Sequence, residues 1–403
     1  MNSPTPSQPK RILYWAGPAE IYHLYTCWSQ QQADPSYFGC SYLEQFFGVC
    51  QAHNYKFHLI STLSKPQQFY HQDDHIFEFR SNLSRGKTGL RFHLLEVFNI
   101  LGIAATAVQG RFDLLVISQG RPYWFLLLPL RLLGLKIIPS IHCVLWRKFG
   151  KRKKNIYYYL YGLTRYFFRW GCSGIMAVSQ DIANQIRVLT RNPNQDIRVF
   201  IPNYPPDLFG QFARADWAKR PLRVIFVGRI ETNKGVYLIP ALAQRLCAEE
   251  QRQIHFDVCG DGSQLEMLRQ TIESQNLNPW VTVHGYCDLQ TLSRLYSESH
   301  VVFVPTQSDF IEGFNKVVAE GVLANRPVVA SRVCPAVDML EEAVIAIDPD
   351  DLEGYYEAIV RLYEDEAFYR QKQQACVGLQ QLFYDLDRGW GKTFQTLLQE
   401  LNF

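Results

Sequence analysis

No pair among the ten cysteines of this 403-residue chain stands in Cys-x-x-Cys spacing, which excludes the paired-thiol redox and zinc-ribbon classes. Free thiols buried in a reducing compartment are the expectation that remains. Fixed-period repeats and low-complexity tracts are also missing, so solenoids and disordered linkers are set aside. Met1 to Pro9 lacks the charged and apolar regions of a signal peptide. Tyr123 to Leu135, read as the most apolar stretch, contains Pro129 and Arg131 and falls short of the ~20 residues of a spanning helix. These absences predict a cytoplasmic chain without a membrane span. There is no His-Glu-x-x-His motif and no cysteine cluster either, in keeping with a chemistry for which no metal or cofactor is expected.

What is present is a globular composition, 47% apolar and 20% charged, with length for two or three cored domains. The net charge of +3 conceals an asymmetry. Residues 1–200 hold 23 Lys or Arg and 10 Asp or Glu, leaving 18 and 28 for residues 201–403. No acidic residue occurs between Asp113 and Asp181, a stretch with 11 basic ones.

Short β-branched or aromatic runs alternate with helix-length segments through both halves. Arg11–Trp15, Lys56–Ile60, Asp113–Ser118, Leu135–Ile141 and Gly174–Val178 read as buried parallel strands in the first half. Pro122–Leu133 and Ser36–Val49 read as helices there, and His71 to Lys87 as a polar loop. In the second half the strands are Arg223–Val227, His255–Val258, Val281–Val283, His300–Val304, Pro327–Ala330 and Val344–Ile347. Asn203-Tyr-Pro-Pro-Asp207 reads as the linker between them. The expectation is α/β, two facing Rossmann-like domains over 1–204 and 205–380, with ligands at the carboxyl ends of the strands. Helices of the tail, 381–403, are expected to fold back onto the first domain.

The second half carries the candidate chemistry. The strand Arg223–Val227 runs into Gly228-Arg229, and Lys234-Gly235 follows before a helix. Two cations at the mouth of a cleft can pair with a diphosphate, although either alone is as often an ordinary surface charge. Gly260-Asp261-Gly262 follows the next strand, but residue 265 is Leu, so no dinucleotide fingerprint is completed. In Glu312-Gly313-Phe314-Asn315-Lys316, with Glu320 eight positions after Glu312, a Gly-containing loop opens a helix. The two carboxylates then lie on one side, roughly 12 Å apart along the axis. Carboxylates accept from vicinal hydroxyls, and amides at Gly313 to Asn315 favour an anion. A capping glutamate with a solvated one is the ordinary alternative.

These residues resemble the retaining nucleotide-sugar glycosyltransferases of family four, with the GT-B fold. The match runs in order through Phe226-Val-Gly-Arg229, Asn233-Lys-Gly235, Cys259-Gly-Asp-Gly262, Val283-His-Gly285, Glu312-Gly-Phe314 with Glu320, and Arg326-Pro-Val-Val-Ala-Ser331. It is looser at Ile141-His142, Ala177-Val-Ser179 and Ile201-Pro-Asn203. The resemblance implies that Arg229 and Lys234 clamp the diphosphate beside Gly228 and that Glu320 holds the ribose. Glu312 touches the transferred sugar, while Gly313, Phe314 and Asn315 present amides to sugar and phosphate. His142 then lies at the reaction centre and Gly17 near the phosphate or acceptor. It also implies a metal-independent, retaining hexosyl transfer, with a nucleotide sugar as donor and a saccharide or lipid-linked acceptor, as in polysaccharide or glycolipid synthesis. Asn315 and Asn325 depart from the family's glycines, and Gly321 from its usual Ala. Asn is the residue other than Gly best suited to a left-handed backbone.

Arg147, Lys148, Lys151, Arg152, Lys153 and Lys154 precede an aromatic-rich segment that runs from Tyr157 to Trp170. Such a cluster suits anionic lipid headgroups, placing the chain on the inner face of the plasma membrane as a peripheral protein, and no motif for nucleic acid accompanies it. A solvated loop beside a core helix is the plain alternative. For the whole chain, the alternatives are a GT-B nucleotide-sugar epimerase and a non-catalytic anion- or lipid-binding scaffold.

Overall fold

The computed structural model describes residues 9–32, 39, 41–63, 67–118, 120, 122–150 and 154–403. The first domain is built on an eight-stranded sheet. Its strands are β1 (Arg11–Trp15), β2 (Lys56–Ser61), β3 (Gln68–Gln72), β4 (His75–Phe79), β5 (Leu114–Ile117), β6 (Lys136–Ile141), β7 (Met176–Ala177) and β8 (Arg198–Val199). They lie in the order β3-β4-β2-β1-β5-β6-β7-β8. The second sheet has β9 (Leu222–Val227), β10 (Ile254–Cys259), β11 (Val281–Gly285), β12 (Val301–Val304), β13 (Val328–Ser331) and β14 (Val344–Ile347), ordered β11-β10-β9-β12-β13-β14. Every pairing is parallel except β3 with β4. Helices cover both sheets, so central strands such as Leu114–Ile117 and Val301–Val304 are buried throughout and read as unbroken apolar runs.

Two expectations need correction. The segment His71 to Lys87 is not a plain loop, because β3 and β4 form an antiparallel hairpin at the sheet edge. The outer strand β3 is almost wholly exposed, so its residues carry no apolar alternation to reveal it. The segment Pro122–Leu133, read as one helix, is also not continuous. It becomes a 3-10 turn (Trp124–Leu127) and one short helix (Leu128–Leu132) with Pro129 in its first turn, where a missing N–H costs nothing. The long apolar helix lies elsewhere, at Gly89–Gln109, with mean hydropathy 1.4, and by length and composition it could cross a membrane.

The helices used below are α1 (Ile21–Ser29), α2 (Tyr42–His53), α3 (Gly89–Gln109), α4 (Ile156–Tyr166), α5 (Lys316–Leu323) and α6 (Trp390–Glu400). A capping box sets the start of α2, with Ser41 accepting at the helix start and Glu44 accepting from the Ser41 amide, which satisfies two orphan donors at once. Helix α6 lies on the first domain. Trp390 is fully buried there, stacked on Tyr14 and edge-on to Phe46, while Lys136 Nζ donates to Leu401 O at 2.6 Å. The chain therefore crosses between domains twice. The crossings are joined by Ile201 N–H to Arg388 O (3.0 Å) and Tyr204 N–H to Phe383 O (3.1 Å).

Candidate active site

Strand β9 ends at Val227, and Gly228 (φ 155°) turns the chain so that Arg229 stands exposed at the strand's carboxyl end. A Cβ on Gly260 would come within 1.8 Å of Gly228 O, and one on Gly262 within 2.4 Å of Ile230 O. The Gly260-Asp-Gly262 turn is thus a tight support for the arginine loop, tied by Ile230 N–H to Asp261 O at 2.9 Å. Gly235 (φ 77°) lets the lysine loop press on Pro305, whose carbonyl oxygen would meet a Cβ at 2.0 Å.

These loops enclose a cavity of about 220 Å³ lined by Gly228, Arg229, Lys234, Thr306, Glu312, Asn315 and Lys316, among others. Lys234 Nζ is 2.7 Å from Glu312 Oε2, and Asn315 Nδ2 donates to the same oxygen at 3.0 Å. The Phe310 ring lies 3.8 Å from Lys234 Nζ and 5.6 Å from the Arg229 guanidinium carbon. Asn315 stands just before α5 with φ 71°, and Asn325 has φ 59°, so both departures from glycine have the positive φ that Asn adopts more readily than most other residues. Gly321 has a packing reason: a Cβ there would lie 2.7 Å from Val328 Cγ2. Helix α5 consequently runs too close to β12 and β13 for alanine.

The carboxylates part company. Glu312 faces the cavity, whereas Glu320 is 7% exposed and accepts from Tyr296 Oη at 3.1 Å. Burial pushes the Glu320 carboxyl above its ordinary range and pulls the neighbouring Lys316 ammonium down to about 8. Glu320 is not among the cavity's lining residues, and neither is Gly17, which has open space beside its Cα in the loop after β1. The Gly313 amide turns back to Glu312 Oε1 (3.2 Å). Phe314 is buried, with its ring toward Phe383 and its carbonyl taking the Ala336 N–H.

The first domain meets this loop directly. Val144 N–H donates to Glu312 O at 3.3 Å, and a Cβ on Gly313 would come within 1.8 Å of His142 O. His142 is held from behind. Trp390 Nε1–H donates to Ser140 Oγ (2.8 Å), which lies 3.0 Å from His142 Nε2. With Ser140 accepting from Trp390, its hydroxyl proton can be given to Nε2, leaving the neutral ring's proton on Nδ1. Burial pulls the ring's pKa down to about 4, so it is neutral at pH 7. Nδ1 is buried without a partner among the described residues. Trp390→Phe removes the donor and keeps a ring against Phe394. The expected result is loss of the pure Nδ1–H pattern in the His142 ring ¹⁵N signals, with turnover falling at unchanged donor affinity. Unaltered ring signals count against this assignment.

Of the basic cluster, Lys151, Arg152 and Lys153 lie outside the described residues. Lys148 is not a free surface charge: it bridges Asp181 (2.9 Å) in its own domain and Asp338 (3.1 Å) in the other. Burial opposes its charge, but the two carboxylates hold its pKa above the ordinary range. Arg147 and Lys154 are exposed. Sequence reasoning missed a second cavity of about 480 Å³ beside the first, walled by Phe92, Glu96, Tyr123, Trp146, Tyr158 and Ile311. Ile311 adjoins Glu312, so the two cavities flank one loop. Among the described residues no three His, Cys, Asp or Glu are grouped to hold a metal ion. No residue of the Asp-x-Asp runs Asp348-Pro-Asp350 and Asp385-Leu-Asp387 is among those lining the cavity.

Comparison with known proteins agrees with this architecture. Residues 42–203 match the description "Glycosyltransferase Family 4" and residues 211–376 match "Glycosyl transferases group 1". Together these matches take in most of the chain, which belongs to the GT-B glycosyltransferases of the family-four type. The chain is 25% identical over 146 residues to 2-deoxystreptamine N-acetyl-D-glucosaminyltransferase of Niallia circulans, 36% of each chain. It is 23% identical over 145 residues to O-antigen chain mannosyltransferase B of Escherichia coli, covering 36% of this chain and 37% of that one. These alignments thus span only about a third of the curated relatives' length. Among solved structures, sucrose-phosphate synthase from Thermosynechococcus elongatus superposes with TM-score 0.69 at 16% identity, covering 98% of this chain and 99% of that one. Anabaena Alr3699/HepE in complex with UDP gives TM-score 0.66 at 14% identity, covering 97% and 99%.

Proposed function

We propose that the protein transfers a sugar, with retention of configuration, from a nucleoside diphosphate sugar to a saccharide or lipid-linked acceptor at the cytoplasmic membrane surface. The observation that carries this is the cavity at the end of β9, where Arg229 and Lys234 converge with Glu312 and Asn315. Cations placed where a diphosphate departs stabilise the charge that develops in the transition state. The proposal assigns that charge to Arg229, Lys234 and the start of α5, and it calls for no metal. The bond from the sugar's anomeric carbon to the diphosphate oxygen breaks with its electron pair going to the diphosphate. The acceptor hydroxyl attacks from the same face, and its proton passes to the departing oxygen. Glu312 and the Nδ1–H of His142 orient the transferred sugar, and Glu320 receives the ribose hydroxyls only once its carboxyl turns from Tyr296 towards the cavity. The second cavity, lined by aromatic rings, suits the acceptor beside that centre. The UDP-bound relative with the same fold is consistent with the donor class.

Purified protein is expected to bind and turn over at least one UDP-, GDP- or ADP-sugar when a total lipid extract is supplied as acceptor. Product NMR is expected to show the donor's anomeric configuration. Neither binding nor hydrolysis across that panel sinks the reading.

A further inference from the structure

We infer that the outer face of α3 is a docking surface for an anionic lipid bilayer, with the helix lying in the headgroup plane. This deepens the membrane part of the proposed function and rests on it for the kind of surface, not for any step of the chemistry. Helix α3 is two-faced. Ile100, Ile103 and Ala107 are buried on the domain, together with Glu96, the helix's one acidic residue. On the opposite side Leu90, Leu94, Phe98, Leu101 and Val108 are 49–75% exposed. Their spacing of 4, 4, 3 and 7 places them in a single stripe. A stripe this long on a monomer surface marks an interaction site.

Charge selects the occupant. Arg85, Lys87 and Arg91 stand exposed at the amino end of α3 and Arg111 beyond its carboxyl end. Arg147 is exposed too and shares the lining of the second cavity with Phe92 of α3. Helix α4 continues the surface, since the His93 and Tyr157 rings lie 5.9 Å apart and Ile156, Tyr159 and Leu163 are exposed on it. An apolar stripe rimmed by cations, with no exposed carboxylate on the helix, fits anionic headgroups over acyl chains. Because the buried face of α3 packs on its own domain, the helix lies on a bilayer and does not span it. Its inner side also walls the second cavity through Phe92 and Glu96, which sets that cavity just behind the lipid surface.

Cosedimentation of the full chain with two kinds of vesicle tests this: phosphatidylcholine alone, and phosphatidylcholine with a quarter phosphatidylglycerol. Wild type is expected to bind the anionic vesicles at least about tenfold more tightly than the neutral ones. The double variant Leu94→Gln, Phe98→Gln changes only exposed side chains, so melting and nucleotide binding are expected to hold while anionic vesicle binding falls about tenfold. Equal binding by variant and wild type overturns the inference. So does a wild type that ignores both vesicles, or a dimer dissolved by the double variant, which assigns the face to a second copy of the chain. Donor turnover read in parallel separates the readings. Turnover without vesicle binding removes this inference alone, and vesicle binding through α3 without turnover removes only the enzymatic one.

Discussion

Lys234→Ala lowers kcat/KM for donor turnover by about 10²–10³-fold, the size of effect seen when a preorganised charge contact to the transition state is lost. Two changes act together. The cavity loses the cation whose Nζ lies 2.7 Å from Glu312, and the Glu312 carboxylate is left facing an incoming diphosphate without compensation. Part of the loss therefore appears as weaker binding of the free nucleoside diphosphate, read by calorimetry. Glu312→Gln in the same background is expected to restore some of that binding and little of the turnover, because the sugar contact is weakened in turn. Activity within threefold of wild type in Lys234→Ala removes the lysine from the diphosphate clamp.

Arg326→Met is expected to destabilise the protein by about 3–5 kcal/mol, measured by urea denaturation. Arg326 is 1% exposed and, among the described residues, has no carboxylate in its hydrogen bonds. Its guanidinium instead donates to five backbone carbonyls, those of Tyr296, Ser297, Ala213, Ala324 and Asn325, at 2.8–3.3 Å. Tyr296 and Ser297 belong to the last turn of the helix Leu289–Glu298, and Ala324 and Asn325 follow the end of α5. One planar fork thus serves two helix ends, where unsatisfied carbonyls gather negative potential, and ties both to the incoming linker at Ala213. Methionine fills the volume and removes the guanidinium donors from all five carbonyls, of which, among the described residues, only that of Tyr296 keeps a further side-chain donor, Ser299 Oγ at 2.8 Å. Lysine offers one ammonium in place of the fork, so Arg326→Lys is expected to recover only part of the loss. A cost below about 1 kcal/mol for Arg326→Met counts against this account.

The parallel strands were legible because burial on both faces leaves uninterrupted Val, Ile and Leu runs, as in Val301–Val304. The hairpin β3-β4 was not, since Gln68–Gln72 faces solvent and its ladder depends on backbone pairing alone. Helix α3 escaped notice for the opposite reason. Apolar residues on its inner and outer sides together blur the amphipathic period from which a helix is read. At the site, Arg229 and Asn315 were readable because Gly228-Arg229 follows β9 and Asn315 immediately precedes α5, whereas Lys234 and Glu312 stood out by the family resemblance. The burial of Glu320 under Tyr296 was not, because it depends on how the distant helix Leu289–Glu298 packs over α5. Likewise the Trp390–Ser140–His142 chain joins residues 250 positions apart, a span over which no local pattern carries information.

The double crossing at Ile201–Tyr204 and Phe383–Arg388 gives the molecule the topology of one domain inserted into another. Helix α6, though late in the chain, completes the apolar layer over Tyr14 and Phe46. The first domain therefore stays unfinished until the inserted domain has been synthesised and its chain has returned. Its folding is coupled to the other domain's by connectivity as well as by contact. A single cut within the inserted domain leaves both pieces of the first held together, so proteolytic nicking there is expected to be invisible to size measurements made under native conditions.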